Sequence, residues 1–432
     1  MKTKLIVPVF AIAAFLFCQV GSAQPEPETL LPSFEIQPGG KDKTQPPDKK
    51  KQPEEKKIAP ETDIFTQAPT MSSEFPTGFN PQMLGDFGVF FAKQTFTFTG
   101  TQTITKTTNV FVGGPNGTPK SLVRSTTTTT TQPVTQTQTI TVPYASSAAA
   151  FKIAENESPR PTDRVFFVWN YFGALRGPDN GPATQSVSNV QTTIPGPRGL
   201  QTTVATAVIT DFPAPPRATA NLHREIFGFE KTFLNGFASI ELRVPFVQMT
   251  GNIEGIGAQN IGDMTIIGKY AFLLDNTTGN VISGGLAITA PTGPGIQTID
   301  GNLHSTLLQP WFGYIFNADT FFLHAFHSIV VPTDVRDVTL FFNDVGINYW
   351  LYRAAPDRAL NYIVPMIEAH LTTPLNHRNQ EGVIFVPDAL VMTAGVHLGI
   401  LRNGNVSIGV ATPVTGPRVF NIETFVQLNW RY

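Results

Sequence analysis

Seven histidines and a thin scatter of carboxylates are the residues of this chain best suited to proton transfer or metal binding. Spacing decides which of them can cooperate. His324 and His327 are three apart, which on a strand puts them on opposite faces and forbids a shared ion. His304 and His377 fall in stretches that read as long loops, whereas His370 and His397 fall on neighbouring apolar-rich stretches and could face one interior. That pair reads as polar lining, and no metal is expected. A hydrolase needs Ser or Asp with His in reach. The chain has no Gly-x-Ser-x-Gly elbow, phosphate loop or His-Glu-x-x-His, and Ser283-Gly284-Gly285 reads as small residues within a strand. Neither an enzymatic activity nor a cofactor is expected.

The charges that do occur keep a phase. Ser239, Glu241 and Arg243 alternate with Ile240, Leu242 and Val244. Glu368 and His370 alternate with Ile367 and Leu371, and His397 alternates with Val396 and Leu398. Facing lipid at mid-depth, a charge on such a strand costs about 2–4 kcal/mol. Glu241, Arg243, Lys269, Asp344, Glu368, His370, His397 and Glu423 are therefore expected to line the lumen of a closed β-barrel.

The elements that would position them are legible in composition and period. Only 14% of the 432 residues are charged, against about 25% in soluble domains. The formal net charge is -2, so no global field argues for nucleic acid, and none is expected as a partner. No segment beyond the first residues supplies the ~20 apolar residues of a membrane helix, so a membrane crossing must use a closed barrel. From Arg164 onward, apolar-rich stretches of strand length recur: 164–173, 221–232, 236–246, 262–273, 280–290, 306–316, 320–331, 340–352, 359–371, 388–401, 404–412 and 418–432. Short turns such as Leu234-Asn235-Gly236, Asn317-Ala318-Asp319 and Asn403-Gly404 alternate with longer connections such as 174–220, 247–261, 291–305 and 372–387. Two of the expected loops, 332–339 and 413–417, are short. Periplasmic turns and extracellular loops follow that pattern. The fold expected is all-β: a transmembrane antiparallel up-and-down barrel of about 12 strands, or 14 if 134–143 and 149–156 join the wall.

Residues 1–23 read as a secretory signal, with Lys2 and Lys4 ahead of an apolar run and cleavage near Ala23. A lipid anchor on Cys18, the sole cysteine, is the weaker reading because Phe17 precedes it. Residues 24–62 are Pro-, Lys- and Glu-rich and read as a disordered linker. Residues 63–160 include the threonine run 126–131 and read as a periplasmic ribbon, a plug or extra strands; residues 161–432 read as the barrel.

In the last stretch, Phe420, Ile422, Thr424, Val426, Leu428, Trp430 and Tyr432 share one face, opposite Glu423, Gln427 and Asn429. This resembles the C-terminal signature of bacterial outer-membrane barrels, which implies recognition by the barrel assembly machinery. Two further runs carry a resemblance. Asn260-Ile261-Gly262-Asp263-Met264-Thr265-Ile266-Ile267-Gly268-Lys269-Tyr270 precedes Leu286-Ala287-Ile288-Thr289-Ala290-Pro291-Thr292-Gly293. Over roughly 160–432 the chain resembles the outer-membrane barrel family of the meta-pathway of phenol degradation. Ser158-Pro159-Arg160-Pro161-Thr162-Asp163-Arg164-Val165-Phe166-Phe167 resembles the run into a strand in barrels of planctomycete-type bacteria. The resemblance implies a porin-like outer-membrane protein, contacting outer-membrane lipids and passing small, aromatic or hydrophobic solutes. A non-conducting scaffold or adhesion protein is the alternative, with a barrel enzyme behind it.

Overall fold

The computed structural model describes residues 80–86, 88, 90–113, 119–144, 152–197, 200–379, 381–416 and 418–432. The signal, the Cys18 anchor and the 24–62 linker lie outside the described residues. In chain order the strands begin with β1 (Phe90–Gly113), β2 (Pro119–Tyr144), β3 (Arg164–Arg176), β4 (Thr184–Pro195), β5 (Leu200–Phe212), β6 (Thr219–Phe233) and β7 (Ala238–Gly251). Next come β8 (Gly257–Ile261), β9 (Thr265–Leu274), β10 (Val281–Thr289), β11 (Ile296–Thr298), β12 (Gly301–Leu303), β13 (Leu307–Ala318) and β14 (Phe321–Pro332). The last are β15 (Leu340–Tyr349), β16 (Tyr352–Arg353), β17 (Leu360–Pro374), β18 (Ile384–Phe385), β19 (Ala389–Ile400), β20 (Gly404–Pro413) and β21 (Ile422–Arg431).

Twelve of these make a closed antiparallel barrel in the order β3-β6-β7-β9-β10-β13-β14-β15-β17-β19-β20-β21, with β21 returning to β3. Each of the twelve stretches expected from the sequence overlaps one barrel strand, and β3, β6, β7, β13 and β17 run past the expected ends. The wall stays at twelve because 134–143 belongs to β2, which pairs with β1 outside the barrel. Short connections close one end. Asn235 and Gly236 take left-handed φ of 56° and 84° in the turn after β6, a region those residue types favour. Asp275 caps the turn after β9, accepting from Thr277 N at 2.8 Å and Thr278 Oγ1 at 2.6 Å.

Alternation sorts the wall. On β9, Ile266, Tyr270 and Phe272 point outward while Thr265, Ile267, Lys269 and Ala271 are buried inward. On β13, Leu308, Phe312 and Phe316 are outward, and Gln309, Trp311 and Ile315 inward. On β21, Ile422, Leu428 and Trp430 are outward, as is Tyr432 after it, against Glu423, Phe425, Gln427 and Asn429. Phe420 departs from this row. The strand starts only at Ile422, and Phe420 turns inward to 0% exposure, edge-on to Phe172 at 5.5 Å. It joins an apolar collar at the loop end with Phe90, Phe91, Phe342 and Phe385.

Above the collar the hairpin β1–β2 and the hairpin β4–β5, the latter inside the long 174–220 connection, share one sheet through β1 and β5. Its strand order is β2-β1-β5-β4, with β18 pairing the base of β1 at Phe91 and Ala92. Threonines face each other across it: Thr105 and Thr129 hydroxyls lie 3.4 Å apart, Thr107 and Thr127 3.2 Å, and Thr193 and Thr203 3.3 Å. Residues 121–133 and every residue of β4 are exposed. β-branched threonine holds the extended backbone there while giving neither face a core to pack.

Candidate functional site in the barrel lumen

The barrel interior is occupied by the chain itself, which runs through it twice. Residues 80–86 climb from the turn end to the loop end. Asn80 bonds Thr162 at 2.7 Å, Asn405 donates to Gln82 at 2.8 Å, and Gln427 donates to the Leu84 carbonyl at 2.8 Å. Residues 152–160 come back down, from Lys152 beside Asp86 to Arg160, which donates to Asn276 in the turn after β9. The two passes touch each other where Met83 N donates to the Glu157 carbonyl at 2.8 Å.

At the turn end, four cations (Arg164, Arg224, Arg243, Lys269) meet four carboxylates (Glu155, Glu157, Glu230, Glu241), all buried. Arg164 on β3 donates to Glu230 at 2.9 Å, Glu241 at 2.7 Å, Glu157 at 3.3 Å, Asn429 at 2.9 Å and the Asn156 carbonyl at 2.8 Å. Lys269 on β9 donates to Glu157 at 2.5 Å, the Ser158 carbonyl at 2.8 Å and Glu230 at 2.9 Å. Arg243 reaches Glu157 at 2.6 Å and the Glu155 carbonyl at 2.6 Å, and also bonds Glu241; Arg224 bonds Glu155. Charges removed from water stay ionised at tolerable cost only when paired and hydrogen-bonded this fully.

Nearer the loop end, Glu368 on β17 accepts the Leu84 and Gly85 amides, one per oxygen, at 3.0 Å each. His370 Nε2 lies 3.1 Å from the same carboxylate and its Nδ1 2.9 Å from Asp344. His324 Nε2 reaches Glu368 at 3.2 Å across β15, because Gly346 lies between them. A Cβ at Gly346 would sit 2.2 Å from His324 Nε2. Lys152 closes the cluster, 2.5 Å from Asp86 and 4.0 Å from Asp344.

Two groups have metal-ligand proximity, Asp86-Asp344-His370 and Glu157-Glu230-Glu241. In the first, the Lys152 ammonium lies against Asp86; in the second, Arg164 and Lys269 lie against the carboxylates. Each group therefore has a cation of the chain itself beside its carboxylates. His370 and His397 do not come together: on the paired strands β17 and β19 they stand opposite Val391 and Val364, and His397 bonds Ser407 at 2.6 Å. Glu423 bonds Asn170 at 2.7 Å. Glu241, Arg243, Lys269, Asp344, Glu368, His370, His397 and Glu423 thus all face inward, at 3% exposure or less.

The sequence offered no sign of the other half of this site, Asp86, Lys152, Glu155 and Glu157, which lie on non-periodic segments. Arg164 and Glu230 carry the inward parity of their strands and could have been found by it. The Gly-Asp and Pro-Thr-Gly runs pin two loop-end connections together. Asp263 accepts from Gly293 N at 2.7 Å and lies 3.1 Å from His304, and burial pushes its carboxyl pKa up. Thr292 Oγ1 accepts from Met264 N at 2.9 Å.

No family model matches the chain, and no curated protein matches it. Among solved structures it is similar to an outer-membrane channel from Pseudomonas putida F1, at 10% identity and a TM-score of 0.40, over 63% of this chain and 96% of that one. It is also similar to the β domain of the Bordetella autotransporter BrkA, at 11% identity and a TM-score of 0.33, over 62% and 98%. CdiB from Acinetobacter baumannii follows, at 11% identity and a TM-score of 0.28, over 68% and 62%. Likeness at these scores says nothing about what this chain does.

Proposed function

We propose that the chain is an outer-membrane barrel, closed by its own lumenal segments, that anchors the threonine-rich sheet outside the cell. The observation that carries this reading is the double passage of the chain through the lumen, which joins the turn end to the sheet at the loop end. Apolar residues on the outer wall, such as Phe272 at 64% and Phe316 at 58% exposure, suit contact with outer-membrane lipids. A secretory signal cleaved near Ala23 and a C-terminal strand read by the assembly machinery through Ile422, Val426, Leu428, Trp430 and Tyr432 belong to the same reading.

A second reading, a transporter for small solutes with a displaceable plug, is favoured by one observation. Beside apolar contacts of Met83, Leu84, Ile153 and Ala154, the plug meets the wall through ion pairs and amides, groups that water can take over when they separate. The aromatic or hydrophobic solutes implied by the phenol-degradation resemblance, and lumenal charges such as Glu241 and Lys269 tuning selectivity, belong to this alternative.

Two measurements test the proposal. Purified full-length protein in a planar bilayer is expected to pass no steady current, and a stable ohmic current would overturn the closed-barrel reading. Cys18 is the sole cysteine, so thiol labelling reports topology cleanly. On intact cells a membrane-impermeant maleimide is expected to label a Thr129→Cys variant and to spare Asn276→Cys; the reverse pattern would place the sheet inside.

A further inference from the structure

The exposed sheet ends in two free edges, and they are not alike. β2 is blunted. Its register with β1 shifts at Val123, it carries Arg124, and Pro133 opposite Thr101 has no N–H to offer a neighbour. β4 has none of these devices. Thr-Gln-Ser-Val-Ser-Asn-Val-Gln-Thr-Thr-Ile-Pro carries no charge, and it pairs with β5 without a register shift from Thr184 to Pro195. Proline appears only at its last position. Among the described residues β5 is its sole strand partner, and Val187, Val190 and Ile194 are 57%, 59% and 54% exposed. A flat, neutral, β-branched edge of this kind is a template for another strand.

We infer that β4 pairs edge to edge with β4 of a second copy of this chain, joining barrels held in two different membranes. This rests on the display reading above. The choice of a second copy comes from the strand's own sequence. An antiparallel register centred on Val190 sets Val190 against its twin, Asn189 against Gln191, Val187 against Thr193 and Ser188 against Thr192. Every cross-strand pair is then neutral: amide faces amide at 189 and 191, β-branched residues meet at 190 and at 187 and 193, hydroxyls meet at 188 and 192, and Ser186 and Gln185 fall against Ile194 and Pro195 toward the ends. The direction of β4 fixes where the barrels go. It starts near the barrel, shortly after β3, and runs to a tip at Pro195, a span of about 40 Å at strand rise. Antiparallel pairing lays the tip of one copy against the base of the other, so the two barrels stand at opposite ends with their loop ends facing. One such contact is small, and many copies on two apposed surfaces multiply it.

The test uses lipid vesicles carrying full-length protein, read by light scattering, with heat-modifiable electrophoretic mobility confirming a folded barrel for every variant. Wild-type vesicles are expected to cluster with each other. Vesicles carrying only Val190→Lys, or only Val190→Glu, are expected to lose clustering, since like charges then meet at the centre of the register. Mixing the two variant populations restores it. Wild-type vesicles that stay dispersed, variant vesicles that still cluster alone, a mixture that fails to cluster, or clustering with protein-free vesicles would each overturn the inference. Maleimide labelling of Thr129→Cys in the same vesicles separates the two layers of the argument. A labelled but dispersed population sinks self-pairing alone, whereas an unlabelled one sinks the display reading beneath it.

Discussion

In the lumen, Arg164 is fully buried and donates to three carboxylates; on the sheet at the loop end, Thr129 is exposed and meets only a neighbour's hydroxyl. Both residues sit on strands. What separates them is what the surroundings leave unsatisfied. A lumenal charge without its partners has no water to fall back on, so each one constrains several others. A threonine on a sheet open on both faces can exchange its neighbour for solvent at almost no cost. The barrel therefore concentrates its specificity inside, and the sheet keeps an outer edge available to other strands.

The contrast can be broken most severely at Arg164. Arg164→Ala strands Glu230, Glu241 and Glu157 in the lumen, and removing one partner of a buried pair costs about 3–5 kcal/mol. Urea unfolding of the micelle-bound barrel, followed by tryptophan fluorescence, should show a loss of that size. Next is Gly346→Val, which forces His324 and Glu368 apart; overpacking of this type costs about 1–3 kcal/mol. The same assay should register it, while a Gly→Val change on the exposed connection at Gly416, where nothing crowds a Cβ, should not.

A pH effect of smaller reach is expected where the returning segment enters the wall. Burial opposes ionisation of Asp163, but hydrogen bonds from Lys231 at 2.8 Å and from Thr232 N and Oγ1 at 2.6 and 2.7 Å outweigh it, so its pKa is lowered. A lowered carboxylate stabilises the fold above the ordinary value of about 3.9 and loses that contribution as pH falls through its folded value. Asp163→Asn should lower stability at neutral pH by the contribution of the ionised carboxylate and leave the acid end little changed, so that the acid limb of the barrel's pH-stability curve flattens. Least of all is expected from Thr129→Val on the sheet, within about 0.5 kcal/mol. A larger loss there would mean that the sheet has hidden packing and that the contrast drawn here is too sharp.

The wall was readable because alternation repeats. Ile240, Leu242 and Val244 against Glu241 and Arg243 fix which face is inside, and a slip of one residue would turn the charges outward. The lumenal half of the site was not readable. Asp86 and Lys152 have no period to betray them, and Leu84 finds Glu368 at a sequence separation of 284. The hairpin β4–β5 passed as loop because Thr184–Pro195 is exposed on both faces and its apolar residues, Val187, Val190 and Ile194, keep no alternation, so no buried side marks it as strand. Phe420 passed as outward for the opposite reason: its parity is right, but the strand begins only two residues after it, so the alternation never acts on it.

The double passage also has a consequence for biogenesis. The four-stranded sheet measures about 14 Å between its outer strands before side chains are added, and the lumen already holds two passes of the chain. A folded sheet could not be pulled through afterwards. A wall that closes around a chain already lying along its axis, at a seam such as that between β3 and β21, avoids this threading. With the sheet folded beyond one end of the barrel, the two passes are held like a toggle through a ring, and withdrawing them toward the other end requires either that the sheet unfold or that the wall open.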